Sequence, residues 1–402
     1  MSRPSNGNIA IIGAGLAGLT LALALQSFGY RPKVFEQSNV LAEVGAGIML
    51  TPNSTRVLNH LGLREALNRQ SLRPKNNYLF DYQADRIINE SDLGMRAMGL
   101  SGNPFCTIHR ADLHAILIAA VRANDAECLQ LGHGLSEIVD LGDAVALAFE
   151  NGVRMTMDMA IGADGIRSAV RAALFDASKP VFTGNVAWRG VVDNRASDYR
   201  MDPADMGNWI GPGRNVVVYP IRGGRELNYV AISEREAWVE EGWNVRSTTK
   251  ELIAEFAGWS PRMLAMFAST PPEKCFKWGL FDRDPMQEIA RGRVALIGDA
   301  AHPMLPFLAQ GSAMGIEDAI ILARCVQTIT DPAETLKAYE ATRLPRTGWV
   351  QHQAREVRRL LHTQASPSEL DAREERSQRI YGYDAVTTAI SSPQVVPVVL
   401  SQ

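Results

Sequence analysis

Residues 8–36 read NIAIIGAGLAGLTLALALQSFGYRPKVFE, and the fold of the whole chain turns on how this stretch is taken. Five strand-like residues, NIAII, run into GAGLAG; LTLALALQSFG then reads as a buried helix closing at Gly29, and PKVFE as a second strand. The three glycines have separate duties. Gly13 makes the tight turn, Gly15 lets backbone approach a pyrophosphate, and Gly18 packs helix against strand. Around them the backbone of Ala14, Leu16 and Ala17 opens a helix whose free N–H groups and partial positive charge favour phosphate. Glu36, 18 residues beyond Gly18, stands where a carboxylate accepts ribose hydroxyls and where a 2′-phosphate is disfavoured. The pattern predicts a dinucleotide-binding βαβ unit. It does not by itself separate NAD from FAD.

A run this apolar also invites a membrane reading. A spanning helix needs about 20 apolar residues without turn breakers, and three glycines interrupt this one. Across 402 residues the chain is 46% apolar and 21% charged, ordinary for a globular protein with a sizeable core. With 41 basic and 44 acidic residues, the net charge of −3 gives no electrostatic reason to expect nucleic acid or a membrane as partner. Cys106, Cys128, Cys275 and Cys325 lack CxxC spacing, so neither a metal site nor a disulfide framework is implied, and a cytoplasmic location fits. There is no internal repeat and no low-complexity tract.

Two later segments narrow the ligand. In DMAIGADGIRSAVRAAL (residues 158–174) a strand runs into Asp164-Gly165 and a helix, and in VALIGDAAHPMLPFLAQG (294–311) another runs into Gly298-Asp299. Supporting pieces are VGAGIMLTPN (44–53), HRADLHAIL (109–117) and YGYD (381–384). The order GxGxxG, GADGxxSxVR, GDAAHxxxPxxxxG resembles the single-component flavoprotein aromatic hydroxylases over nearly the whole chain.

The resemblance implies an α/β fold: a Rossmann-like FAD-binding domain with a parallel sheet, interleaved with a smaller substrate domain on an antiparallel sheet, plus C-terminal helices. The expected divisions are 1–73, 105–175 and 279–333 for FAD, 74–104 and 176–278 for substrate, and 334–402 for the helical end. It implies that Asp299 binds ribityl and ribose hydroxyls, that Arg110 reaches the phosphate and ribityl region, and that Asp164 sits nearby as a link to nicotinamide use. Gly45 and Gly47 would let backbone lie against the isoalloxazine from one side, and Pro306 and Gly311 from the other. The amides of Gly311, Ser312 and Ala313 would face the anionic edge of the reduced ring. Each has a plainer reading. An Asp after a strand often caps a helix, and Arg110 can be a surface charge.

Residues 176–278 change texture to strand-like runs, NVAWRGVV, NVVVYPI and LNYVAIS, with Gly/Pro punctuation between them. A period of two puts Asn215, Val217, Tyr219 and Ile221 on one face of NVVVYPI and Val216 and Val218 on the other, with the opposite register open. Tyr219, Asn215, Met49 and Arg189 are the substrate candidates, Arg189 for its carboxylate-matching fork. Tyr219 and His302 are the candidates for ionising a phenol. Several relatives carry histidines in this strand where this chain has Asn215 and Val218, which places the base and the substrate in question. After about residue 334 a helix is expected, broken at Pro345, with Val350, Ala354, Val357 and Leu361 as a core or interface stripe.

The implied activity is hydroxylation of a hydroxylated aromatic or N-heteroaromatic carboxylate of the salicylate, hydroxybenzoate or hydroxynicotinate type. It would use FAD, NADH or NADPH and O2, pass through a flavin C4a-hydroperoxide, and be carried out by a monomer or homodimer. Two alternatives stand beside it: a flavoenzyme oxidising or epoxidising a non-phenolic substrate, and a non-catalytic binding or regulatory protein on a dinucleotide fold.

Overall fold

In the computed structural model, residues 7–41, 46–195, 199–238, 245–360 and 367–391 are described. The opening stretch forms the strand Ile9–Ile12, the helix Leu16–Ser27 and the strand Lys33–Glu36. That helix is apolar on every side because it is covered on every side. The helices Gly311–Thr328 and Arg110–Asn124 both pack against it, and Leu16 to Leu25 are almost entirely buried.

A six-stranded sheet lies beneath it in the order Leu129–Leu131, Lys33–Glu36, Ile9–Ile12, Met159–Gly162, Val294–Leu296, Ala290–Arg291. The first five strands run parallel and the last turns back antiparallel. The three segments with sequence signatures therefore end side by side at the carboxyl edge of adjacent parallel strands, where ligands of open α/β sheets bind.

The second sheet has eight strands, in the order Val245–Arg246, Phe276–Asp282, Val181–Asp193, Glu226–Glu234, Arg214–Ile221, Asp205–Gly211, Asn76–Asp81, Ile87–Asp92. One junction departs from the expected antiparallel pairing: Asp205–Gly211 lies parallel to Asn76–Asp81. The latter strand arrives from the nucleotide layer by a long crossover, which allows the parallel sense that a hairpin forbids. Val216, Val218, Trp188, Tyr229 and Ala231 face a core closed by Leu252, Phe256, Met263 and Phe267. The opposite face carries Tyr219, Ile221 and Val191 against Ala97 and Phe105, and Ala187, Ile232 and Trp278 against Leu305 and Ala354. That second face looks onto the nucleotide layer.

The C-terminal expectation needs one correction. Pro332–Leu360 is a single helix that runs through Pro345. A proline costs a helix interior about 3 kcal/mol, and here the flanking Arg343 and Arg346 are tied into buried ion pairs that hold the helical course. Val350 and Ala354 are buried, Val357 is half-buried, and Leu361 lies outside the described residues. Among the described residues no helix is long and apolar enough to cross a membrane, and no His/Cys/Asp/Glu group could hold a metal ion.

Candidate active site

Each glycine of GAGLAG meets different surroundings. Gly13 has φ +109°, and a Cβ there would lie 2.5 Å from the Ala163 carbonyl oxygen; a Cβ on Gly18 would overlap the Gly13 carbonyl oxygen. Around Gly15 a Cβ would meet nothing within 4 Å. Two of the glycines are filled in by protein, and the third faces open space. Glu36 accepts from Ala14 N and from Ser38 N, both at 3.0 Å, so the Ala14 amide is already engaged. The first helical bond runs from Leu19 N to Gly15 O at 2.9 Å, which leaves the amides of Leu16, Ala17 and Gly18 without a helical acceptor. His114, which the sequence reading passed over although HRADLHAIL contains it, braces the loop through Nε2 to Ala14 O at 2.7 Å.

Ala17 also ties this loop to the GDAAH segment. Its methyl sits 3.0 Å from where a Cβ on Gly298 would be and 2.9 Å from one on Gly315. Asp299 follows Gly298 and stands beside Arg110 and His302; burial pushes its carboxyl up, and the two neighbouring side chains oppose the shift. Burial likewise pulls the Arg110 guanidinium down, opposed by Asp299. Beyond the Pro306–Leu308 turn, Ala309 adopts a left-handed φ of +54° and the chain enters the helix Gly311–Thr328. Its first bond is Met314 N to Gln310 O at 2.9 Å, so the amides of Gly311, Ser312 and Ala313 have no helical acceptor. At Gly311 a Cβ would find only Met304 at 3.9 Å and Asp299 at 4.0 Å. The buried Gln310, Thr51 and Asn53 knit the 44–53 segment to this turn, with Gln310 Nε2 to Thr51 Oγ1 and Asn53 Nδ2 to Gln310 Oε1 both at 3.0 Å. Gly45 of that segment lies outside the described residues.

His302 is 2% exposed, and its Nε2 lies 2.6 Å from Asp318 Oδ2, which also accepts from Gly298 N at 2.8 Å. Arg343 bonds the other Asp318 oxygen at 2.7 Å and Glu317 at 2.8 Å, and Arg346 joins Glu317 at 2.6 Å. Burial alone would raise Asp318; His302 and Arg343 outweigh it and hold its carboxyl at about 2. Tyr383 of YGYD lies 3.7 Å beneath the Arg346 guanidinium, so that C-terminal motif covers the network. His302 thus sits inside a buried lattice of ion pairs, with Nδ1 lacking a protein partner. Asp164 has a comparable duty: its Oδ2 accepts from Ala169 N at 2.7 Å and Val170 N at 3.2 Å, capping the helix Ala169–Leu174, while Oδ1 is buried without a partner.

On the sheet face above, the Arg189 guanidinium lies 5.4 Å from the Trp278 ring and 5.7 Å from Phe276. Burial and Arg110 pull it below the ordinary guanidinium range and Tyr219 opposes them, yet it stays cationic at neutral pH. A cavity of about 90 Å³ reaches it, lined also by Ala46, His109, Val191 and Phe276. Tyr219 is buried, and burial pushes its hydroxyl well up, with Arg189 opposing. Asn215 keeps a buried Oδ1 with no protein partner. Met49 packs against the Tyr219 cluster. Gly47 N donates to Asn228 Oδ1 at 2.6 Å, a link between the two layers that joins residues 181 apart.

The FAD binding domain model matches residues 7–354. This chain belongs to that family. The 3-amino-4-hydroxybenzoate 2-monooxygenase of Streptomyces cremeus is 37% identical to it over 374 residues, 92% of this chain and 91% of that one. The 6-hydroxynicotinate 3-monooxygenase of Bordetella bronchiseptica is 36% identical, covering 85% of this chain and 89% of its own. A solved salicylate hydroxylase substrate complex is similar at a TM-score of 0.78 and 27% identity, over 97% of this chain and 100% of that one. The mixed α/β fold expected from the sequence, with parallel sheet, second sheet and C-terminal helices, is the one observed. The protein is an FAD-dependent monooxygenase that uses NAD(P)H and O2.

The residues present fit FAD. The family's extended cofactor needs an open pyrophosphate approach, a ribose acceptor and unpaired donors near the ring, and the space at Gly15, the Glu36 carboxylate and the amides of Gly311 to Ala313 meet those needs in turn.

Proposed function

We propose that this monooxygenase hydroxylates a ring-hydroxylated aromatic or N-heteroaromatic carboxylate, using NADH or NADPH, in the cytoplasm and as a monomer or homodimer. The observation that carries this reading is the pair Arg189 and Tyr219 on one sheet face above the Gly47 strand: a half-buried guanidinium suited to a carboxylate and a buried phenol suited to a ring oxygen. The substrate-bearing unit in this reading comprises residues 74–104 and 176–278.

Bound FAD supplies hydride acceptance from NAD(P)H and activation of O2. The protein's part is to hold and to orient. Gly13 to Gly18, Glu36, Arg110 and Asp299 would seat the dinucleotide. Gly47, Pro306 and the Gly311–Ala313 amides would bracket the ring system, the amides stabilising negative charge there. Arg189 would anchor the carboxylate. Tyr219, kept protonated by its burial, would donate to the ring oxygen, and the apolar wall of Val191, Ile221 and Phe105 would keep water out. In this reading His302 positions the Gly298–Asp299 turn through Asp318, and Asp164 positions the neighbouring turn as a helix cap.

A second observation narrows the class. The buried Asn215 Oδ1 favours a ring carrying an N–H donor, as an amino-substituted hydroxybenzoate or the pyridone form of a hydroxypyridine carboxylate does. The two relatives named above act, by name, on rings of that kind. The test is a panel of hydroxybenzoates, aminohydroxybenzoates and hydroxypyridine carboxylates scored for stimulated NAD(P)H oxidation with the product identified. Stimulation plus a product gaining one oxygen supports the reading; a fast oxidase rate that no ring acid changes overturns it.

A further inference from the structure

We propose that Asn228 and Tyr219 together form a two-donor seat for the ionised ring oxygen of the substrate, which makes Asn228 a substrate-contacting residue; this rests on the hydroxylase reading above.

Asn228 is 0% exposed. Its Oδ1 accepts from Gly47 N at 2.6 Å, and this bond fixes the amide's orientation, because a backbone N–H can only donate and must face the oxygen. The nitrogen end is therefore turned away from Gly47, and Nδ2 has no protein partner. A buried amide that leaves its donors unpaired is disfavoured unless something outside the chain satisfies them. An acceptor atom is what this end of the side chain needs.

Register places that acceptor. Asn228 and Tyr219 are directly paired across antiparallel strands, and Val191 flanks Asn228 on the other side, so these side chains project from one face. Gly47 completes the corner: a Cβ there would strike the Tyr219 ring at 2.6 Å and the Asn228 side chain at 2.8 Å. Only glycine lets the strand come this close. Around the corner Val191, Ile221, Ala97 and Phe105 supply an apolar lining in which a hydrogen bond to a charged oxygen is strong. Burial keeps the Tyr219 hydroxyl protonated, so it donates and does not act as the base.

The proton balance follows. As the ring acid enters, its O–H bond breaks, the proton passes to solvent, and the oxyanion accepts hydrogen bonds from Asn228 Nδ2 and Tyr219 OH, with Arg189 nearby as the cation. Ionisation by two donors needs no histidine among the side chains that share this face, Tyr219, Asn228 and Val191.

The test uses the FAD-loaded protein and the ring acid selected by the panel above, with 3-amino-4-hydroxybenzoate and 6-hydroxynicotinate as first probes. Ultraviolet difference spectra across pH read the ionisation midpoint of the bound ring hydroxyl, and titration reads Kd. Asn228→Asp keeps an acceptor for Gly47 N and exchanges the neutral amide donor for a carboxylate whose charge opposes the oxyanion. It should raise the bound ligand's ionisation midpoint by about one pH unit or more and Kd by about tenfold or more, from the loss of one charge-assisted hydrogen bond and the added like charge, with FAD content unchanged. Asn228→Ser, neutral and smaller, should move both in the same direction and stands in if the aspartate variant does not fold. An unchanged midpoint and Kd in a folded variant overturns the proposal. So does a shifted flavin spectrum in the ligand-free variant with ligand ionisation unaltered, which would place the donor on the cofactor. If no ring acid binds the unaltered protein, the hydroxylase reading fails first, and that result is distinct from either.

Discussion

At Gly15 an added methyl group would touch nothing within 4 Å, whereas at Gly47 it would strike Tyr219 and Asn228 at 2.6 and 2.8 Å. Both glycines belong to the cofactor side of the molecule, yet they do opposite things. Gly15 leaves open space, which in the proposed site would let a diphosphate reach backbone; Gly47 brings backbone up against the side chains of another sheet. The nucleotide layer is built from main-chain geometry, and the proposed ring-binding face from side chains converging on it from distant strands.

The hardest test of that contrast lies within GAGLAG. Gly18→Val should fail to give folded protein, since its Cβ would overlap the Gly13 backbone, an overpacking with no flexible neighbour to yield and worth about 3 kcal/mol or more. Gly15→Val should fold with the melting temperature of the FAD-stripped parent and purify without FAD. A yellow Gly15→Val protein breaks the comparison. The buried ion lattice comes next. Asp318→Asn or Arg343→Met should lower stability by about 3–5 kcal/mol in denaturant unfolding, because each strands a buried charge. The same lattice sets an acid limit: the Asp318 carboxyl, held at about 2 against its usual 3.8, contributes stability in full above about pH 4, and that contribution is lost as pH falls towards 2. His302→Ala should lose FAD affinity in step, and raising the pH should not restore hydroxylation; alkaline rescue would return the histidine to the role of base.

Smaller effects are expected on the ring-binding face. Arg189→Met should weaken carboxylate ligands by about 1.5–3 kcal/mol while sparing neutral phenols, and equal losses in calorimetric titration would make Arg189 structural. Tyr219→Phe should cost about 1 kcal/mol in binding a hydroxylated ring acid and nothing for its deoxy analogue. Loss on both would mean the ring's packing against Gly47 matters more than its hydroxyl.

The same divide explains what could be read from the sequence. The strand-to-helix turns at GAGLAG, GADG and GDAAH were legible because turn geometry demands glycine at fixed local spacing. The alternation in NVVVYPI was legible in outline because a strand has only two faces. Asn228 was not, because an asparagine inside LNYVAIS carries no local sign that its partner is Gly47, 181 residues away. Pro345 was misread for a related reason. The rule that proline ends a helix is local, and Glu317 and Asp318, which hold the helix through Arg343 and Arg346, belong to another element. The parallel pairing of Asn76–Asp81 with Asp205–Gly211 is likewise set by a crossover that no short window contains.

The methyl group of Ala17, held between Gly298 and Gly315, has a consequence for how the protein comes into being. A growing polypeptide makes GAGLAG almost at once, but the surfaces that lock it in place exist only after Gly315 has been synthesised. Strand Ile9–Ile12 waits in the same way for Met159–Gly162, and that strand for Val294–Leu296. Pairings this remote along the chain form slowly. Until they do, an apolar segment with an empty phosphate loop is exposed, and cofactor capture is among the last events of maturation. Scarcity of riboflavin during synthesis should therefore show itself as folded, pale enzyme that takes up FAD when the cofactor is supplied later.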